Sequence, residues 1–191
     1  MKCLFSIHAG EYLVGSHIEN QHKSLNVWIP SKDTGVDLLL TSRKANRAAS
    51  IQVKFSKDYS SDPSMEPFQQ KGSLLKTCGW HSIKREKLKN SPAQFWVFVL
   101  RGYETNRPDF IIIPATDLLR RLEAIFGQQA TFRSYLWITK PGGNWRTAKC
   151  WEARDLNKQD RLRIVAGTYE NALHDMTEYL AWDTLLKQLN D

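Results

Sequence analysis

Gly35-Val36-Asp37-Leu38-Leu39-Leu40 and, one turn later, Ile51-Gln52-Val53-Lys54-Phe55 decide how this chain folds. The first segment opens on an acid and runs into the apolar Leu38-Leu39-Leu40, so that residues 36–41 read as a strand buried on both faces. Residues 42–49 read as a basic, polar turn, and residues 50–55 as the returning strand. The pair predicts a β-hairpin whose first strand begins at Asp37 and whose second carries an amide and a lysine. With a side-chain period of two, Gln52 and Lys54 share one face of the sheet. Val53, between them, points into the core and leaves its backbone carbonyl within reach of a metal near Asp37.

Around this hairpin the pattern alternates helices and strands. A helix is expected over residues 11–21, carrying Glu11 at its start. A short strand over 25–29 is ended by Pro30. Residues 57–67, rich in Ser, Asp and Pro, read as a loop. A helix is expected over 68–78, ended by Gly79, then a short basic helix or turn over 84–89. Strands follow at 95–100 and 110–113, and an amphipathic helix at 115–126 with Leu118, Leu119, Leu122 and Ile125 on one face. A further strand at 135–139 precedes a turn at Gly142-Gly143, and a final amphipathic helix is expected over 169–189. The class is mixed α/β.

Composition sets the outer bounds. A chain of 191 residues with 41% hydrophobic and 25% charged residues can build one sizeable core without disulfides. Cys3, Cys78 and Cys150 are scattered, which argues against a disulfide framework and against structural zinc. His17 and His22 are off the helical spacing of a metal pair, so no zinc site is read there. No stretch approaches the roughly 18 apolar residues of a membrane span, and the opening apolar run is too short for a signal peptide. A soluble, cytoplasmic protein is expected, with no membrane partner. The net charge of +7 raises the prior for an anionic partner such as nucleic acid. The charge is uneven: Lys71, Lys76, Lys84, Arg85, Lys87 and Lys89 face a single acid, Glu86, over that stretch, whereas residues 169–191 are acidic.

Metal-assisted phosphodiester hydrolysis needs oxygen ligands for a hard cation, a group that orients water, and positive charge against the phosphate. Asp37, Gln52, Lys54 and Glu11 can meet that need together. Taken singly, Asp37 reads as a turn cap and Lys54 as a solvated residue; only their joint order and spacing favours chemistry. The Glu-bearing helix, the Gly-x-Asp leading into an apolar strand, the turn and the apolar Gln-x-Lys strand resemble the PD-(D/E)xK nuclease superfamily. The branch they are most similar to carries Gln in place of the acid, as Mrr-type restriction endonucleases do. The matching stretch, residues 11–56, is under a third of the chain.

The resemblance implies a restriction-endonuclease-like core, a central mixed β-sheet flanked by helices, within residues 1–130. Residues 131–191 would be a C-terminal extension of strand and final helix packed on the same domain. It implies a Mg²⁺-dependent DNA endonuclease of restriction, defence or mobile-element biology, with Mn²⁺ able to replace Mg²⁺. Asp37 would be the principal metal ligand, joined by the Val53 carbonyl and the Gln52 side-chain oxygen. Glu11 would bind the metal or brace a ligand, and Lys54 would orient the attacking water or offset developing charge. Val36 stands where the family name has Pro. Gln52 removes one negative charge, so metal binding without the phosphate substrate should be weak. Lys57, Lys84, Arg85 and Lys87 are the expected backbone-phosphate contacts. Cutting both strands of double-stranded DNA calls for a homodimer or two sequential nicks. The alternative is a nuclease fold that binds nucleic acid or a protein partner without cutting.

Overall fold

In the computed structural model, residues 8–32, 34–56, 63–68, 71–101 and 108–190 are described. The expected hairpin is its centre. Strand β2 (Leu38–Ser42) pairs antiparallel with β3 (Ala48–Ser56), Leu38 facing Ile51 and Leu40 facing Ala49. Strand β1 (Leu25–Trp28) pairs antiparallel with the outer side of β2. On the far side, β5 (Phe95–Arg101) runs parallel to β3, and β6 (Pro108–Pro114) runs antiparallel to β5. The result is a mixed sheet of five strands in the order β1-β2-β3-β5-β6.

The period of two sorts its residues onto two faces. Leu38, Leu40, Ala49, Ile51, Val53, Val97 and Val99 bury one face against Val14 and Ile18 of helix α1 (Ala9–Gln21) and Leu185 and Leu189 of helix α5 (Asp183–Asn190). Trp96, Phe98, Leu100, Ile111 and Ile113 bury the other. They pack on Leu118, Leu122 and Phe126 of helix α3 (Ala115–Phe126) and on a second sheet. That sheet has three antiparallel strands in the order β4-β7-β8: β4 (Leu75–Lys84), β7 (Thr131–Thr139) and β8 (Lys149–Glu152). Its outer face, with Cys78, Tyr135, Trp137 and Trp151, is covered by Ile164 and Val165 of helix α4 (Lys158–Ala166) and by Met65 and Phe68. Residues beyond 130 are therefore interleaved with earlier ones, since β7 pairs with β4 along its length. Among the described residues no helix is long and apolar enough to cross a membrane.

Two expected helices take other forms. Within the expected helix over 68–78, residues 71–78 are not helical: a 3-10 turn ends at Phe68, and β4 runs from Leu75 through Gly79 to Lys84. Gly79 is not a helix cap. A Cβ there would lie 2.1 Å from Leu100 Cδ2 and 3.0 Å from Ser56 Cβ, so the missing side chain is what lets the second sheet cross the first closely. The stretch 169–189 is helical only over Asp183–Asn190, after a short 3-10 turn at Thr177–Leu180. Asn171 Oδ1 accepts the Leu173 N–H at 3.0 Å and Asp175 Oδ1 accepts the Thr177 N–H at 2.8 Å, turning the chain where a helix was expected. Met176, placed by this turn, joins the core between the sheets.

Two elements had no sequence expectation. Strand β8 is one. Helix α4 is the other, although its ends carry ordinary signals: Asn157 Oδ1 accepts the Asp160 N–H at 2.9 Å, and Gly167 follows at φ 77°. The short basic segment at 84–89 is helix α2 (Arg85–Lys89), directly continuing β4.

Candidate metal-assisted hydrolysis site

Asp37 sits immediately before β2, and its N–H still donates to the Ile51 carbonyl at 2.8 Å, so the ladder with β3 extends to it. The regular register ends at Leu38 opposite Ile51, and Asp37, one residue earlier, is tied to that same Ile51. Its carboxylate Oδ2 accepts the Val53 N–H at 2.6 Å and an N–H from Gln52 Nε2. Gln52 is 4% exposed. Its other amide atom, Oε1, is buried with no hydrogen-bond partner among the described residues. A buried carbonyl oxygen left unpaired costs about 1–3 kcal/mol, which marks this oxygen as one that a ligand would satisfy.

Glu11 reaches the same place from α1. It is 8% exposed, and its Oε2 accepts the His8 N–H at 3.1 Å. Gly10 explains the approach: a Cβ there would lie 2.8 Å from Phe55 Cβ and 3.2 Å from Val53 Cγ1, so the first turn of α1 rests directly on β3. Gly10 is a positioning residue that the sequence reading passed over, though its place beside Glu11 was the available signal.

Glu11, Asp37, Gln52, Val53, Lys54 and Lys87 line one cavity of about 370 Å³, together with His8, Gly10 and Phe55. Lys54 and Lys87 bring two ammonium groups to the two carboxylates. The Lys54 Nζ lies 5.3 Å from the centroid of the Trp96 ring, on the neighbouring parallel strand. Behind it, His81 of β4 is buried edge-on to Phe98, ring centroids 4.7 Å apart. Burial, with the Lys54 charge adding to it, pushes the His81 pKa down to about 3, so the ring is neutral at neutral pH. His81 is thus a mid-strand residue of β4.

The basic residues divide. Lys87 faces the cavity. Arg85 is turned away and held by Glu123 of α3, Nε to Oε1 at 2.7 Å. Lys84 is exposed at the far end of β4, paired in register with Thr131. Lys57 lies outside the described residues.

The donor set suits a hard cation better than a soft one. Two carboxylates, one amide oxygen and a backbone carbonyl are oxygen ligands of the kind Mg²⁺ takes, its remaining positions going to water and phosphate. Among the described residues no cluster of three or more His, Cys, Asp or Glu occurs. Any metal here would therefore lean on the neutral oxygens, and the unpaired Gln52 Oε1 fits that demand.

A larger cavity, about 1030 Å³, lies elsewhere, between α1, β6 and the start of α5, and holds none of the expected site residues. Its Asp109 is already engaged, by Lys140 Nζ at 2.5 Å and Thr77 Oγ1 at 3.0 Å. Its His17 stacks on Trp182 at 5.3 Å and is shifted toward the neutral form by burial and then by His22. Size alone does not make it the chemical centre.

Comparison with protein-family models, with curated proteins and with solved structures finds no match for the chain.

Proposed function

We propose that this chain is a Mg²⁺-dependent DNA endonuclease of the restriction-endonuclease-like type, with Mn²⁺ able to take the place of Mg²⁺. One observation carries the reading: Glu11, Asp37, Gln52, Val53 and Lys54, from one helix and two paired segments, line a single cavity around a buried amide oxygen that lacks a partner. Asp37, Gln52 Oε1, the Val53 carbonyl and Glu11 would hold the metal, which when bound supplies charge against the phosphate and a more acidic water. Lys54 orients the water and offsets negative charge as the phosphate is attacked. Lys87 holds the substrate backbone beside the cavity. Neutral His81 keeps a second positive charge away from Lys54. The order of a Glu-bearing helix, an Asp-led strand and a Gln-x-Lys strand supports the family resemblance; the segment after β3 departs from it, with a strand at β4 where a helix was expected. Cutting both strands of a duplex from one such site per chain requires two copies or two successive nicks.

The test is cleavage of supercoiled plasmid in Mg²⁺ or Mn²⁺ by the wild type, Asp37→Ala and Lys54→Ala. The expected result is nicked and linear DNA with the wild type only, and none in chelator. Intact plasmid with all three proteins, over several sequences and modification states, would sink the catalytic reading.

A second reading has its own observation. Asp37 Oδ2 already accepts two N–H groups, one from Gln52 itself, and such a carboxylate can be purely structural. On that reading the chain binds nucleic acid without cutting it. Asp37→Ala would then lower the melting temperature and leave DNA affinity unchanged.

A further inference from the structure

On the face of the large sheet that carries Asp37 and Gln52, β1, β2 and β3 also carry Trp28, Leu39 and Ser50, one ladder step further along. Trp28 is 54% exposed, which leaves the face of its indole open to solvent. Its ring is nonetheless fixed: the indole Nε1–H donates to Thr41 Oγ1 at 3.0 Å, and Asn26 Nδ2 reaches Ser42 O at 3.4 Å beside it. The indole donor is thereby satisfied within the sheet, and the exposed ring has only its π surface to offer.

The surroundings are cationic. The turn that joins β2 to β3 exposes Arg43, Lys44 and Arg47, and neither the three strands nor this turn contains an acidic residue. The turn is ordered, with Ser42 N–H to Arg47 O at 3.0 Å and Ser42 Oγ to Asn46 Oδ1 at 2.7 Å. Along β2, Asp37 and Thr41 are four residues apart, about 13 Å at the rise of a strand. Along the sheet, an aromatic platform therefore lies between the candidate site and a basic tip.

We propose that Trp28 is a stacking platform for an unpaired base of the DNA substrate, with Arg43, Lys44 and Arg47 on its backbone. The proposal rests on the nuclease reading and sharpens it. Within a duplex each base is covered by its neighbours, so a base can lie on an indole only where the strand is single or splayed. The substrate class is then DNA with a single-stranded segment next to the cleaved bond, such as an overhang or a flap.

Binding can be read without cutting, by fluorescence anisotropy of end-labelled oligonucleotides in chelator with the full chain. A tailed duplex, a single strand and a blunt duplex of the same sequence are compared. Trp28→Ala should weaken binding of the tailed and single-stranded DNA about tenfold and leave the blunt duplex unchanged. Trp28→Phe, which keeps a ring, should retain most of the affinity and guards against a merely misfolded variant. Replacing Arg43, Lys44 and Arg47 with Ala should weaken all three ligands and make the salt dependence shallower. Equal affinity of wild type and Trp28→Ala for tailed DNA would overturn the inference. A change in self-association without a change in DNA affinity would overturn it too, by assigning the face to a second copy of the chain. The two readings separate cleanly: cleavage lost in Asp37→Ala with no Trp28 effect leaves only the nuclease, and a Trp28 effect without any cleavage leaves only the platform.

Discussion

Gln52 donates its side-chain amide N–H to the Asp37 carboxylate oxygen that also takes the Val53 N–H. The amide thereby commits its nitrogen to the acid and turns its oxygen into a buried, unpaired acceptor. A glutamate at this position would offer a charged ligand but would also set two carboxylates against each other. The chain has the neutral version, in which the amide nitrogen bonds the acid instead of repelling it.

Gln52→Glu should therefore reverse the balance. In chelator the two carboxylates repel, and the melting temperature should fall below that of the wild type. Added Mg²⁺ should raise it again, with binding tighter than wild type by on the order of tenfold. Calorimetric titration of Mg²⁺ into both proteins and melting with and without the metal check this. Equal metal affinity in the two proteins would place Gln52 outside the metal site.

Gly10→Ala tests the approach of α1 to β3. The new Cβ meets Phe55 Cβ at 2.8 Å, close to the strand backbone, so the helix start must shift and take Glu11 with it. Cleavage should fall by at least about tenfold, since small misplacements of catalytic groups are costly. Circular dichroism should change little. Full activity in this variant would show that Glu11 has no part in the chemistry.

Acid sensitivity should carry the mark of His81. Its folded-state pKa, about 3, lies below the ordinary 6.5. Its contribution to stability is thus complete above pH 6.5 and is lost as pH falls through the window toward 3. His81→Leu should melt with a shallower dependence on pH across that window than the wild type. Parallel curves would show that the imidazole is solvated after all.

Arg85 and Lys87, neighbours in sequence, should separate in function. Arg85→Ala removes the contact with Glu123 and should cost about 0.5–1 kcal/mol of stability with little change in DNA affinity. Lys87→Ala should leave stability unchanged, weaken DNA binding, and lower the salt slope by about one. Denaturant melts and salt titrations of binding distinguish them.

What the sequence disclosed and what it hid follow from the range of the interactions. Asp37, Gln52 and Lys54 were legible because a strand repeats every two residues and a hairpin brings neighbours in sequence face to face. Helix α3 was legible from its apolar stripe. Strand β4 was not, because its pairing partner β7 is remote in sequence and its Gly79, made necessary by Leu100 and Ser56, looks locally like a helix stop. The pairing of Arg85 was not legible, because Glu123, which holds it, lies on another helix. The broken end of the chain turned on Asn171 and Asp175 side chains that outcompete helical bonding, a choice an amphipathic pattern does not reveal.

Anomalous diffraction from a crystal of the chain with bound oligonucleotide and Mn²⁺ decides whether Asp37 and the Gln52 oxygen hold a catalytic metal. A peak is expected in the cavity lined by Glu11, Asp37 and Lys54, about 2.1 Å from an Asp37 carboxylate oxygen and from Gln52 Oε1. A cavity with DNA seated beside it, no anomalous peak, and Gln52 Oε1 bonded to a protein donor would contradict it.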